Sequence, residues 1–360
     1  MSPQPDFTLT YWGTMGTTAA PLRPEQITDK LVAAIVSLAG GGQLGALGEK
    51  AGDAGQVRAL VERELAFHQR ATYGGNTTCI ELRTSEELII IDAGTGNRAL
   101  GIDLERRWKD VDDRNQRVAH LFLTHAHIDH ITAIPFVDAY YDARNDVRIR
   151  GPQEALDALR AVMQPGSAMQ GVYFPTSDDM LAATRILEPV VAGQSFDVGS
   201  TTVHTMALNH PGGAVAYRFD RGGHSVVIAT DHEHPEVPDR KLAKFAAGAD
   251  LLYIDSQYLD DELTGLHGIA GGPALSRQGW GHSTVEQALT TAIAAGVARV
   301  HLGHREPRRD DAELHRIESA AMEKAAQLAA AEQPPTQPPE VAIPHEGLVV
   351  TLGDQGANAT

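Results

Sequence analysis

Cysteine is almost absent from this 360-residue chain, where Cys79 stands alone. A single thiol excludes a disulfide framework and any zinc module built on several cysteines. In a strand-like segment, Cys79 reads as a small buried hydrophobe. Basic residues are also outnumbered, with 30 Lys and Arg against 47 Asp and Glu and a net charge of −17. Surfaces that coat nucleic acid need clustered Lys and Arg to neutralise phosphates, so the composition argues against a nucleic-acid partner. No uncharged apolar run approaches the roughly 18 residues that signal a membrane-spanning helix. The opening MSPQPDF shows no basic stretch leading into an apolar core, so no secretory signal is expected. Apolar residues make up 42% of the chain, ample for a core. The expectation is a soluble, cytoplasmic globular protein.

Histidine, by contrast, is plentiful: there are 16, and they fall in short clusters. The tightest is His125-Ala126-His127-Ile128-Asp129-His130, directly after the apolar strand expected at Val118–Thr124. Burying three imidazoles and a carboxylate so close together costs several kcal/mol unless something compensates. A metal ion does so, and imidazole with carboxylate suits Zn, Mn or Fe. A turn at a strand end lets side chains converge that a strand would send to opposite faces. Downstream, Asn209-His210-Pro211-Gly212, Thr230-Asp231-His232-Glu233-His234 and Gly303-His304-Arg305-Glu306 each end an expected strand, and Gly281-His282-Ser283-Thr284 opens a helix.

Elsewhere the pattern alternates strands and helices. Ile27, Leu31, Ile35 and Leu38 recur at helical spacing after Pro24, and a second helix is expected around Val57–Phe67. The small-residue stretch between them, up to Gly55, reads as a loop. Residues 20–70 are thus a helical insertion between two strands. Strands are expected at Phe7–Trp12, Thr77–Arg83, Glu87–Asp92, Val147–Arg150, Thr201–Leu208, Ala214–Phe219, Ser225–Thr230, Leu251–Asp255 and Val297–Leu302. Ser283 and Glu286 form a capping box ahead of a helix with one apolar face. The proline run at 333–341 reads as a stiff linker to a closing strand, Leu348–Leu352. The whole, 1–360, reads as one mixed α/β layered domain.

In these residues the chain resembles the metallo-β-lactamase-fold hydrolases, and within them the ribonuclease Z-like and cyclic-phosphodiesterase-like branch. The resemblance rests on His125-Ala-His127-Ile-Asp129-His130, His210, Asp231, Gly281-His282-Ser283-Thr284 and Gly303-His304. The pair Tyr73-Gly74-Gly75-Asn76-Thr77 and Ile91-Asp92-Ala93-Gly94-Thr95-Gly96 extends it. It implies a four-layer αββα sandwich and a dinuclear centre of two divalent ions, zinc first, with Mn or Fe as alternatives. His125, His127 and His210 would hold the first ion, Asp129, His130 and His304 the second, and Asp231 would bridge them. A metal-bridging hydroxide would be the nucleophile, because two ions lower the pKa of bound water toward about 7. His282 would be the general acid; the alternative makes His282 the second ion's ligand and His304 structural. Asp129 is also a catalytic candidate.

Asp92 would orient a ligand histidine or cap the glycine turn. Asn76, His232 and Arg305 are candidate substrate contacts, although His232 and His234 fit solvent-exposed loop positions better. No basic arm of the kind that grips tRNA in ribonuclease Z is present. The expected activity is therefore phosphodiester hydrolysis on a small cyclic or diester substrate. The alternative is hydrolysis at carbon, of a lactone, ester, amide or aryl halide, by the same site. Redox chemistry at a di-iron site lacks a flavin segment, and a non-catalytic binding protein would lack ligands that are present here. The branch also suggests a homodimer.

Overall fold

The computed structural model describes residues 7–166, 172, 177–186 and 189–353. Its strands run in chain order as β1 (Phe7–Gly13), β2 (Cys79–Arg83), β3 (Leu88–Ile91), β4 (Val118–Phe122), β5 (Asp146–Arg150) and β6 (Thr184–Ile186) in a first sheet. A second sheet holds β7 (Ser195–Val198), β8 (Thr201–Leu208), β9 (Ala214–Arg221), β10 (His224–Ala229), β11 (Leu251–Asp255), β12 (Arg299–Gly303) and β13 (Glu340–Ala342). The last strand, β14 (Val349–Leu352), returns to pair with β1, so each sheet has seven strands, ordered β14-β1-β2-β3-β4-β5-β6 and β13-β12-β11-β10-β9-β8-β7. Both are mixed: β3 to β6 and β10 to β13 run parallel, the rest antiparallel.

Between β1 and β2 the chain forms α1 (Pro24–Gly40), α2 (Leu44–Lys50), α3 (Ala54–Glu64) and α4 (Phe67–Arg70). The first half adds α5 (Gly96–Trp108), the single turn α6 (Ile128–Ile131) and α7 (Gln153–Met163). The second half adds α8 (Arg240–Phe245), α9 (Asp260–Thr264), α10 (Val285–Ala295) and α11 (Asp311–Ala331).

Strand periodicity explains the layering. Successive residues face opposite sides of a sheet, and here both sides are apolar. Ile90, Ala119 and Leu121 point outward to Leu100, Leu104, Leu156 and Leu159 of α5 and α7. Their neighbours Ile89, Ile91 and Phe122 point inward to Tyr217, Phe219, Val226 and Ile228 of the second sheet. Val227, Ala229, Leu252 and Ile254 then face Leu242, Leu289, Ala292 and Ala325 from α8, α10 and α11. Three cores stacked in this way make the four-layer αββα sandwich.

Some local expectations differ. The stretch expected to be a loop before Gly55 contains α2, because Ala46 and Leu47 pack against Leu38, Leu60 and Leu65. That contact outweighs two glycines that would fray an isolated helix. The apolar stripe of α1 faces outward: Leu38 is buried, whereas Ile27, Leu31 and Ile35 are exposed. The proline run ends sooner than expected, since Glu340 and Val341 already pair with Arg299 and Val300. A three-residue parallel edge strand beside prolines carries too little periodicity to be read locally. The short strands β6 and β7 escaped for the same reason. No single helix among the described residues is long and apolar enough to cross a membrane.

Candidate metal centre

All the parallel strands deliver their C-terminal ends to one edge of the sandwich, where ligands gather in open α/β sheets. Asp92 directly follows β3, His125 lies just beyond β4, His210 beyond β8, Asp231 beyond β10, Asp255 ends β11 and His304 follows β12. The chain turns sharply at these points. Of the five non-glycine residues with positive φ among the described residues, four belong to this edge: Thr17 (63°), Asp92 (60°), Asp231 (52°) and His304 (53°). Such conformations cost on the order of 1–3 kcal/mol each and persist where the surroundings enforce them. Here they turn side chains from different strands toward one point.

Two groups of donors result. The ligand atoms of His125, His127, His210 and Asp231 lie within 4.8 Å of one another, and so do those of Asp129, His130 and His304. Asp231 sits between the groups. Its Oδ2 is 3.6 Å from Nε2 of both His125 and His210 and 3.2 Å from His304 Nε2, and its Oδ1 is 3.3 Å from His130 Nε2. Asp129 Oδ2 lies 3.2 Å from His130 Nε2 and 3.4 Å from His304 Nε2, and it accepts a 2.8 Å bond from Thr17 N. His282 joins Asp231 and His304 in a further set, its ring stacked on that of His304 at 4.7 Å.

These residues fit divalent metal ions. The Nε2 atoms of His125, His130 and His304 are buried and make no hydrogen bond, although an orphaned buried group costs about 1–3 kcal/mol. Electrostatics agree. Burial holds His125, His127 and His210 below the ordinary histidine range, as neutral ligands require. At His130 and His304 burial is outweighed by carboxylates, Asp231 foremost, which push proton affinity up, to about 9 for His304. Burial by itself would raise Asp129 and Asp231, yet neighbouring imidazoles hold both far below the carboxylate range. The two anions therefore demand cations, which metal ions supply without protons.

Around the donors lies a shell of fixed partners. Asp92, fully buried, accepts from Thr124 N (2.8 Å), Thr124 Oγ1 (2.8 Å) and His130 Nδ1 (2.7 Å). His210 Nδ1 faces the Gly281 carbonyl at 2.9 Å. A side chain on Gly281, whose φ is 90°, would overlap the His210 ring and Pro211. Three residues went unread in the sequence. Asp255 Oδ2 faces His282 Nδ1 at 2.7 Å, Gln257 Oε1 faces His304 Nδ1 at 3.2 Å, and Glu233 accepts from Gly279 N (2.8 Å) and Gly281 N (2.9 Å). For Asp255 a signal existed, a lone carboxylate ending the otherwise apolar strand Leu251–Asp255.

The expected substrate contacts fare differently. His232 is only 2% exposed, its Nδ1 accepting from Asn209 N and its Nε2 facing Asp239 at 2.9 Å. It is a structural pin, not a loop side chain open to substrate. His234 is buried likewise, between Ser283 Oγ (2.6 Å) and Thr291 Oγ1 (2.9 Å). Arg305 is buried and spent on Thr14 Oγ1 and the carbonyls of Tyr73 and Gly74. Half-buried Asn76 binds Glu346 through Nδ2 (2.9 Å) and N (2.6 Å). The last two thus brace the segment Thr14–Thr17 against the second half of the chain.

An αββα sandwich with a histidine and aspartate cluster at its strand ends defines a metal-dependent hydrolase. The chain belongs to the β-lactamase superfamily domain family, whose model matches residues 87–305, more than half its length. Among curated proteins it is similar to ribonuclease Z of Thermoplasma acidophilum, 20% identical over 64% of this chain and 81% of that one. It is also similar to ribonuclease Z of Treponema denticola, 25% identical over 66% of this chain and 84% of that one. Among solved structures, zinc-bound PqqB from Methylobacterium extorquens superposes with a TM-score of 0.62 at 14% identity, covering 96% of this chain and 100% of that one. Unliganded yeast PDE1 gives 0.57 at 12% identity, covering 97% and 100%. At such identities the structural likenesses speak to the fold.

Proposed function

We propose that the protein is a dinuclear metal-dependent phosphodiesterase acting on a small cyclic or linear phosphodiester. The observation that carries this reading is Asp231 lying within 3.6 Å of imidazole nitrogens from both donor groups. His125, His127 and His210 would hold one ion, Asp129, His130 and His304 the other, and Asp231 both. Zinc suits this donor set best, with Mn and Fe tolerated. When bound, the ions supply Lewis acidity and water activation at neutral pH.

The chain's own residues do the rest. Asp129, tied to Thr17 N, keeps its carboxylate aimed at the centre. His282 would donate from Nε2 to the leaving oxygen. Asp255 at its Nδ1 fixes that tautomer and steadies the imidazolium that must reload. Similarity to ribonuclease Z raises RNA as a substrate, but the net charge of −17 weighs against a long polyanion.

One observation favours a second reading. With Arg305 committed to Thr14, Tyr73 and Gly74, the one cation expected to favour phosphate is not free, which suits hydrolysis at a carbonyl carbon. Elemental analysis, paired with turnover of bis-p-nitrophenyl phosphate and a p-nitrophenyl carboxylic ester, separates the readings. About two ions per chain with diester turnover, abolished by His127→Ala and depressed by His282→Ala, supports the phosphodiesterase. Ester turnover alone favours the carbon-centre hydrolase, and fewer than one ion after reconstitution removes the dinuclear site.

A further inference from the structure

Trp280 stands one residue before Gly281, the carbonyl partner of His210, and two before His282. Its indole is 49% exposed, yet the scaffold behind it is elaborate. The Arg277 guanidinium carbon lies 6.0 Å from the Trp280 ring and 5.7 Å from the Tyr258 ring, and the Tyr258 ring lies 6.0 Å from that of His282. Arg277 is only 1% exposed, and Nη1 donates to the carbonyls of Glu262 (2.9 Å) and Leu275 (3.0 Å). Its Nε finds no hydrogen-bond partner. On either side of Trp280, Gly279 and Gly281 adopt φ of 82° and 90°, and their amides are clamped by the Glu233 carboxylate.

Burying a guanidinium with an orphaned N–H is costly, and holding an indole half in water returns little stability. The cost is explained if the ring's orientation matters. A cation stacked behind one face leaves the other for a planar guest, and stacking accepts any aryl ring or base because each has a π-face.

We propose that Trp280 is a specificity-determining residue that stacks on a planar aromatic group, such as a nucleobase, carried by the phosphodiester. This deepens the phosphodiesterase reading and rests on it. Arg277 and Glu233 are positioning residues for the indole.

The test compares metal-loaded wild type, Trp280→Ala and Trp280→Phe on adenosine 2′,3′-cyclic phosphate and on base-free ribose 2,3-cyclic phosphate. Wild type is expected to prefer the base-bearing ester. Trp280→Ala should lose that preference by roughly five- to a hundredfold, mainly in KM on the base-bearing ester. Trp280→Phe should retain part of it. A parallel binding measurement needs no turnover: adenosine monophosphate should quench tryptophan fluorescence saturably in wild type but not in Trp280→Phe, and ribose 5-phosphate should not quench. Equal losses on both esters, or no quench, overturn the proposal. Quenching without turnover of any phosphodiester would instead retain the aromatic platform and overturn the phosphodiesterase reading.

Discussion

Replacing Asp92 by Asn removes one charge while preserving shape, and its effect follows from which atom each partner uses. Thr124 N donates to Oδ1, whereas Thr124 Oγ1 and His130 Nδ1 both meet Oδ2. A backbone N–H can only donate, so it pins the Asn oxygen at the Oδ1 position. The amide nitrogen must then occupy the Oδ2 position and point N–H at His130 Nδ1. His130 can satisfy that donor only by accepting at Nδ1, which places its own proton on Nε2. That is the atom facing Asp129 (3.2 Å) and Asp231 (3.3 Å), where a metal ion needs the lone pair. Loss of such a partner typically costs 10- to 100-fold in metal affinity, about 1.4–2.7 kcal/mol. Competition with a chromogenic chelator would measure the affinity, and ¹⁵N chemical shifts of His130 would report the tautomer. Undiminished binding of both ions by Asp92→Asn, with His130 still protonated at Nδ1, would refute the reasoning.

Gly281→Ala should be less stable by about 1–3 kcal/mol, because an L-residue would be strained at φ of 90° and its methyl overlaps His210. It should also lose the ion that His210 would hold, so a thermal melt unchanged alongside full metal content would contradict the close packing. Asp255→Asn should lower kcat by about 10²- to 10⁴-fold without lowering metal content, since it removes the carboxylate at His282 Nδ1; equal loss of metal would make Asp255 a structural residue instead. His120 and His301 are held neutral by burial, pushed down to about 4 and about 3 from an ordinary 6.5. Above pH 6.5 neither folded nor unfolded chain protonates them, so they cost nothing. As pH falls through 6.5 the unfolded chain takes up protons first, and stability drops until the folded values are reached, by up to about 3 kcal/mol for His120. Urea midpoints at pH 7.5 and 5.0 should show this fall, and His120→Gln should flatten it; an unchanged slope would count against a buried neutral imidazole.

Much of this protein is written locally. The run His125 to His130, and His210, Asp231 and His304 at strand ends, announce a metal site because their spacing cannot be bland core packing. The strands are legible because apolar runs such as Leu251–Asp255, and alternating ones such as Thr201–Leu208, end in turn residues. What escaped depends on partners far away in the chain. Asp255 matters because His282, 27 residues on, folds back against it, and Arg305 is unavailable because carbonyls 231 and 232 residues earlier use it up. His232 looked like a loop side chain until Asn209 and Asp239 enclosed it. The residues alone thus determined the donor chemistry, since that resides in side-chain type and strand-end position. The tertiary structure decided which donors share a point, which cations are free and how Trp280 is held, because hydrogen bonding and burial are assigned only when distant segments meet.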